Sequence, residues 1–415
     1  MAELILPENQ NYSCHGCGGC CWLYEVVVTE EERQRIIGQG WSQSDGIPAG
    51  RKLVRRTGGI FSRRWALARR SDGACIVLNE KGLCRIHAKF GEPAKPLVCR
   101  LYPFVLYPVG DRIAVSLRFS CPSVAGSRGI PIREHRAEIT EFCQLGAAAP
   151  TFGPPAISRG EKLDWPDTMS VVARLGSLLA GDGSTPLALR VTHALLVAEM
   201  LGQAKFDKVR GERLEELLGT LVEAVPEETA RGLDPAPLAP AKVQLRMLVA
   251  QYAPRHPLMV VGLGYRARAA AARLRMVRGQ GMTPQLHEGL PPVAFDDLEK
   301  PRQCSHPEID ALFARYFQGR LQGMSFCGPA CYGLGVSEGF VRLMLTYPVL
   351  LYLTRWSAIG QGRSAASVSD AELAVTLVDH KHGYSPLLGS GSVARMARWL
   401  MQNRQIQALS AWYAR

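Results

Sequence analysis

The sequence predicts an α+β protein, with a small, irregular, cysteine-rich metal-binding domain followed by a mainly α-helical domain. Three observations carry this. Nine of the 12 cysteines fall before residue 150, and none follows until Cys304. The chain has 415 residues, more than one hydrophobic core usually accommodates. Beyond the first third, apolar residues recur at helical spacing. The expected division is a cysteine-cluster domain over 1–147, a linker rich in Ala, Pro and Gly over 148–166, and helices over 167–415.

Each element of the first segment has its own signal. Glu25-Val26-Val27-Val28 reads as a strand. Thr29 followed by Glu32 is a capping box that opens a helix to about Ile37, and Gly38 and Gly40 end it. Arg51 to Arg70 holds eight basic residues and no acidic one around Gly58-Gly59, the pattern of a basic hairpin. Leu101 to Phe119 predicts a second hairpin turning at Gly110-Asp111. In the second half, Phe206, Val209, Leu214, Leu217, Leu218, Leu221, Val222 and Val225 share one helical face, which Pro226 is expected to end. Ser305 with Glu308, and Ser369 with Glu372, are expected to cap two further helices; the first has Ile309, Leu312, Phe313, Tyr316 and Phe317 inward. Val393, Met396, Trp399 and Leu400 mark a last one. No repeat of solenoid length is evident.

With 47% hydrophobic and 21% charged residues, the composition excludes a mostly disordered chain, collagen and a coiled coil. The most apolar stretch, Val341 to Leu353, is interrupted by Arg342, Thr346 and Pro348. It falls short of the ~20 apolar residues of a spanning helix. Glu3, Pro7 and Glu8 occupy the place of a leader, so a cytoplasmic location is expected. The net charge of +12 suits an acidic partner, but Arg is spread evenly, which an Arg-rich proteome also explains.

A cytosolic chain does not keep disulfides, so a dense cysteine block there points to metal ligation or redox chemistry. The first motif is Cys14-His15-Gly16-Cys17-Gly18-Gly19-Cys20-Cys21. Two-residue spacings turn successive thiolates toward one centre, and the glycines let the backbone approach it. Cys20 and Cys21 do not easily serve one tetrahedral ion together, so one of them points to a second metal or a supporting contact. Cys75, Cys84, Cys99 and Cys121 complete the set of candidate ligands. Four thiolates make a closed zinc site, and cysteine-only ligation equally suits an iron–sulfur cluster; spacing alone does not choose. His15 and His87 lie within the motifs as further candidate ligands.

Cys14-x2-Cys17-x2-Cys20-Cys21, Asp72-Gly73-Ala74-Cys75-Ile76-Val77-Leu78, Gly82-Leu83-Cys84-Arg85-Ile86-His87 and Gly91-Glu92-Pro93 through Cys99-Arg100-Leu101-Tyr102-Pro103-Phe104 together resemble the YkgJ-type cysteine-cluster family, a zinc- or iron-chelating domain. Its longer members include the flagellin lysine-N-methylases. The resemblance covers about residues 14 to 121. It implies an iron–sulfur cluster, 4Fe-4S, with zinc as the alternative. For the methylase branch it implies S-adenosylmethionine and a protein substrate such as flagellin. A non-catalytic zinc-binding interaction module is the reading from another class. Arg100 and Tyr102 are expected to donate hydrogen bonds to sulfur.

The residues do not add ordinary methyltransferase machinery. No acidic-Gly-x-Gly-x-Gly loop follows a strand, and Cys327-x3-Cys331 lacks the third cysteine of a radical-cluster triplet, so no catalytic or donor-binding residue is assigned. A donor would sit in a cleft between the domains, with hairpin arginines on its carboxylate and Tyr102 or Phe104 along its adenine. Val260-Val261-Gly262-Leu263-Gly264 imitates a dinucleotide loop without the acidic residue that should follow. Trp65 and Phe61 on the basic hairpin are placed to stack on bases, but a solvated ribbon around a thiolate site explains them as well. Asp379-His380-Lys381-His382-Gly383 reads as cations and a glycine ending a helix. Cys143, Cys327 and Cys331 have no assigned role.

Overall fold

The computed structural model describes residues 3–47, 50–59, 63–181, 185–230, 236–254, 263–302 and 304–415. The strands, in chain order, are β1 (Glu3–Ile5), β2 (Asn11–Tyr12), β3 (Val27–Val28), β4 (Val54–Thr57), β5 (Arg64–Leu67), β6 (Phe104–Val109), β7 (Arg112–Leu117) and β8 (Ile130–Pro131). They form small sheets of order β1-β7-β6, β2-β8 and β3-β5-β4. Between them lie short helices: α1 (Gly19–Leu23), α2 (Glu30–Gly38), α3 (Arg85–Phe90), α4 (Leu97–Leu101), α5 (Pro122–Ala125) and α6 (Arg136–Gln144). The rest is helical: α7 (Trp165–Ala180), α8 (Leu187–Gln203), α9 (Glu212–Ala230), α10 (Ala239–Tyr252), α11 (Leu263–Arg278), α12 (Phe295–Glu299), α13 (Pro307–Gln322), α14 (Val336–Met344), α15 (Thr346–Gly360), α16 (Val368–Lys381), α17 (Gly391–Gln402) and α18 (Gln405–Ala414). The α+β class is as the sequence predicts.

Both hairpins form. β6 and β7 pair from Phe104 opposite Leu117 to Val109 opposite Arg112. Gly110 turns them at φ +63°. In the basic hairpin, Val54 faces Leu67 and Thr57 faces Arg64. Part of its charge is already engaged. Arg33 and Arg56 lie 4.7 and 5.1 Å from the Trp65 ring centre, and Arg55 pairs with Glu25. Guanidinium groups therefore occupy the ring expected to meet bases; Phe61, like residues 260–262 of the dinucleotide-like loop, lies outside the described residues. The capping box of α2 is present, with Glu32 N donating to Thr29 Oγ1 at 3.2 Å and Thr29 N to Glu32 Oε2 at 2.9 Å.

Two apolar cores organise the chain. The smaller gathers Val26, Val28, Ile36, Val54, Leu67, the run Ala74 to Leu78, and Ile86. The larger joins Leu4, the β6–β7 hairpin and α6 to the helices as far as Tyr413. The Ala-, Pro- and Gly-rich stretch is packed into it: Phe152 lies edge-on to Tyr107 at 4.5 Å, and Val336 N donates to Ala156 O at 2.8 Å. α15 is buried on every side from Thr346 to Ala358, the pattern of a central core helix. The run Val336–Gly360 is long and apolar enough to cross a membrane by composition alone, yet 89% of its apolar window is buried within the fold.

Four boundaries differ from expectation. α9 continues through Pro226 for another turn. Pro226 is exposed, so water reaches the carbonyl it leaves unbonded, and Thr229 Oγ1 donates to Val225 O and Pro226 O. His306, not Ser305, caps α13, because Ser305 Oγ is drawn to Asp310 Oδ2 at 3.0 Å. Ser367 with Asp370, not Ser369 with Glu372, boxes α16; Glu372 pairs with Arg128 instead. α17 is followed by α18, whose residues Gln405 to Ser410 are all buried.

One side chain closes the helical end. Arg355 is fully buried on α15. Its guanidinium donates to the carbonyls of Leu298, Lys300, Arg302, Tyr413 and Arg415 and to Cys304 Sγ. Arg355→Met should keep the volume and strand those carbonyls. We expect a loss of about 3 kcal/mol or more in denaturant unfolding, since each stranded group costs about 1–3 kcal/mol; an unchanged midpoint would show that the clamp is idle.

Candidate metal centre

The cysteines arrive on five separate segments, each fixed by local backbone structure. Cys14 and Cys17 lie on the loop before α1, where Gly16 and Gly18 adopt φ +69° and +67°. A Cβ at Gly18 would meet Gly82 O at 3.0 Å, so the glycine lets this loop lie on the turn before Cys84. Cys20 and Cys21 sit within α1. Cys75 N donates to Cys21 O at 2.9 Å, tying the second motif to the first. Cys84 precedes α3 and bridges back to Leu78. Cys99 lies in α4, whose Leu97 N donates to Glu32 Oε1 at 2.6 Å. Cys121 precedes α5, its N–H on Arg118 O at 3.1 Å.

The thiols act on one another electrically. Cys20 and Cys21 share a hydrogen bond, which lowers the Cys20 thiol to about 7 and raises that of Cys21. The shared hydrogen bond thus favours the thiolate on Cys20 over Cys21. Burial first, then Cys84 and Cys20, pushes Cys75 up to about 11; burial first, then Cys75, Cys20 and Cys84, raises Cys99. Burial likewise raises Cys121 to about 11, with contributions from Cys17 and Cys20. Cys20 therefore belongs to both neighbourhoods: Cys21, Cys75, Cys84 and Cys99 on one side, Cys17 and Cys121 on the other. Cys143 feels burial alone. Cys327 and Cys331 neighbour each other in the helical core.

The cysteines are free thiols, with Cys14, Cys17 and Cys20 exposed and Cys75 and Cys121 buried. Among the described residues, no three Cys, His, Asp or Glu side chains yet stand close enough to hold one ion together. The sulfurs converge without closing a cage. The donor set is one of soft thiolates, which fits zinc or an iron–sulfur cluster and suits a hard cation poorly. Of the histidines, His15 directs Nδ1 to Ser123 Oγ, beside the Cys121 turn, and His87 is exposed in the last turn of α3.

Several expected supports lie elsewhere. Arg100 bridges Glu92 at 2.9 Å and Glu141 at 2.7 Å rather than a sulfur, because two carboxylates outbid a neutral thiol for a guanidinium. Tyr102 packs on Tyr24, ring centres 5.2 Å apart. Phe104 is buried against Tyr12 and Phe142. Both rings make packing contacts, Phe104 deep in the core and Tyr102 half-buried.

The support that the sequence left unread is the end of α16. Asp379 has no exposure. Its Oδ2 accepts from Ser120 N at 2.9 Å and Arg118 Nε at 3.2 Å, and its Oδ1 from Arg320 Nη1 at 3.4 Å. Arg118 stacks on Tyr384 at 3.8 Å and on Tyr24 at 5.2 Å, while Tyr24 and Ser120 share a hydroxyl hydrogen bond of 2.6 Å. The His380 ring meets Tyr24 edge-on. One buried carboxylate thus holds Ser120, the neighbour of Cys121, and steadies Tyr24, just past α1 and its two cysteines. The Asp-His-Lys-His string was its signal, but a helix-end charge and a buried ion pair look alike in sequence. Asp379→Ala leaves two buried guanidiniums unpaired; we expect a loss of about 3–5 kcal/mol in unfolding and reduced metal retention, with Asp379→Glu recovering less than half of either. Wild-type metal retention in Asp379→Ala would remove the link to Cys121.

No curated protein matches the chain, and no solved structure does. Residues 13–143, about a third of the chain, match the model of the CxxCxxCC family, described as "Putative zinc- or iron-chelating domain". That span takes in all eight cysteines of the converging set and ends at Cys143. Over these residues the chain is similar to that family, consistent with the YkgJ-type resemblance of its cysteine motifs, and the match supports a metal-binding protein.

Proposed function

We propose that this chain is an iron–sulfur protein whose cluster, 4Fe-4S, is held by thiolates drawn from Cys14, Cys17, Cys20, Cys21, Cys75, Cys84, Cys99 and Cys121. The observation that carries this reading is the donor set. It is all sulfur, as cysteine ligation of an iron–sulfur cluster requires, it offers more than the four thiolates one such cluster takes, and Cys20 is shared between two thiol neighbourhoods. Arg69 supports the same reading. It is buried against the last turn of α1, donating to the carbonyls of Cys21, Trp22 and Tyr24, so a fixed positive charge lies behind the thiolates.

The activity we propose is methylation of lysine side chains on a protein such as flagellin, with S-adenosylmethionine as donor, in the cytoplasm. Its support is the resemblance to the longer cysteine-cluster proteins. In that reaction the neutral lysine amine takes the methyl group, the sulfonium carbon–sulfur bond breaks to leave a neutral thioether, and the amine sheds a proton. The cleft walls expected for the donor, Tyr102 and Phe104, are used in packing, so no residue of this chain is assigned to donor binding.

Anaerobically purified protein should be brown and contain iron and acid-labile sulfide. Cys17→Ala should lose metal and Cys304→Ala keep it; colourless protein with stoichiometric zinc would replace the cluster by the zinc-binding interaction module. For the activity, calorimetry with S-adenosylmethionine on metal-loaded protein should give measurable heat that Cys99→Ala abolishes. No heat in loaded wild type would sink the methyltransferase reading and leave the metal untouched.

A further inference from the structure

The end of α16 also borders a cleft that the metal centre does not use. Leu248 and Tyr252 of α10, Arg342 of α14, Tyr332, His382 and Leu388 line it, enclosing about 290 Å³ with the solvent at its mouth included. The closed part is much smaller, room for a few heavy atoms and far below the usual size of an organic cofactor site.

Two buried polar groups on its wall lack a partner among the described residues: Nε of Arg342 and Nε2 of His382. The residues are 5% and 2% exposed. Arg342 makes one long hydrogen bond, Nη2 to Leu388 O at 3.3 Å, and among the described residues no carboxylate pairs with it. A buried guanidinium with so little compensation is costly unless an anion joins it. The imidazole is arranged to help. Its Nδ1 lies 3.0 Å from Tyr252 Oη, and a hydroxyl donating there puts the ring proton on Nε2. Burial, then Arg320 and Arg342, holds the His382 pKa well below its ordinary value, so the ring is a neutral donor.

The wider charge balance points the same way. Arg118, Arg320, Arg342 and Lys381 are all buried around the end of α16, and Asp379 is the buried carboxylate among them. It is taken by Arg118 and Arg320. Lys381 is met by the carbonyls of Gln251 and Pro254, and burial pushes its amine down to about 7. Among the described residues, Arg342 is left as an uncompensated cation beside Nε2 of His382, a ring nitrogen able to donate.

We propose that this cleft binds a small monovalent anion, a halide or the carboxylate of a one- or two-carbon acid, between the Arg342 guanidinium and Nε2–H of His382. The apolar walls of Leu248 and Leu388 strip the ion of water, and the small closed volume excludes larger anions such as gluconate. A ligand that binds only the folded state raises its melting temperature.

The test uses the full-length, metal-loaded protein at constant ionic strength. Chloride, bromide and formate, each compared with gluconate, should raise Tm by roughly 1–3 °C. The larger shift, halide or formate, identifies the class of ion. Arg342→Met should lose that dependence, and crystals soaked in bromide should show anomalous density in the cleft. Should Arg342→Met fail to fold, the bromide density decides. Bromide absent from the cleft, with a water there or an adventitious ion only at other sites, overturns the proposal. So does a Tm dependence that survives in Arg342→Met.

Discussion

A carboxylate with no access to water has to be met by donors on every side, and Asp379 is met from both halves of the molecule. Ser120 N and Arg118 come from the segment that leads into Cys121, and Arg320 comes from the central helix α13. Removing any partner leaves a buried charge, so the geometry is stiff in a way that apolar contact alone is not. The position of Cys121 is therefore set from behind, by a helix end more than 250 residues away in sequence. The same carboxylate holds Arg118 against Tyr24, and Tyr24 follows the helix carrying Cys20 and Cys21. The cysteine segment and the helices are in this sense one construction, with the metal centre on one face and the ion cluster as its back wall.

The fold also shows how a basic composition can be spent internally. Buried and half-buried cations recur at helix C-termini, where unbonded carbonyls and the macrodipole favour positive charge. Arg69 meets Cys21 O and Trp22 O at the end of α1, and Arg315 meets Val124 O and Ala125 O at the end of α5. Arg190 meets Leu179 O and Ala180 O of α7, and Arg246 meets Met276 O and Val277 O of α11. Lys381 does the same past α10, and Arg118 at the end of α16. An arginine fork takes two carbonyls at once and still lies against apolar surface. Much of the excess of Lys and Arg thus joins helices to one another, which weakens any inference from net charge to an acidic partner.

What the sequence made legible follows the range of the interaction. The Thr29–Glu32 box, both hairpins and the inward face Ile309, Leu312, Phe313, Tyr316, Phe317 are local patterns, and they stand where expected. The cysteine motifs were readable because their spacing is itself the chemistry. Caps were misplaced by one or two residues where a neighbour competed: Asp310 drew Ser305 away from α13, and Arg128 took Glu372 from the α16 box. Pro226 was misread because a helix break is an average cost, and an exposed ring near a helix end lowers it. The end of α16 was unreadable for a deeper reason. Nothing local distinguishes a solvated Asp-His-Lys-His string from one whose partners are Arg118, Arg320 and Tyr252.

The exposure of the thiols divides the centre into two parts with different duties. Cys75 is pinned by a backbone bond to Cys21, and Cys121 by the turn that Asp379 supports; both are buried before any metal arrives. Cys14 and Cys17 sit on a glycine-bearing loop and are exposed, with Cys20 at its junction with α1. On the proposed ligand set, the buried thiols are held by backbone structure before ligation, and the exposed ones lie on the loop whose glycines leave it the most conformational freedom. The larger core, from Leu4 to Tyr413, contains Cys121 alone of the eight, so its burial is achieved without the metal. Ligation energy then acts on the loop, α1 and the smaller core, which Cys21, Cys75, Cys84 and Cys99 border directly. The helical half supplies the rigidity, the cysteine half supplies the sulfur, and the buried ion cluster is where one is transmitted to the other.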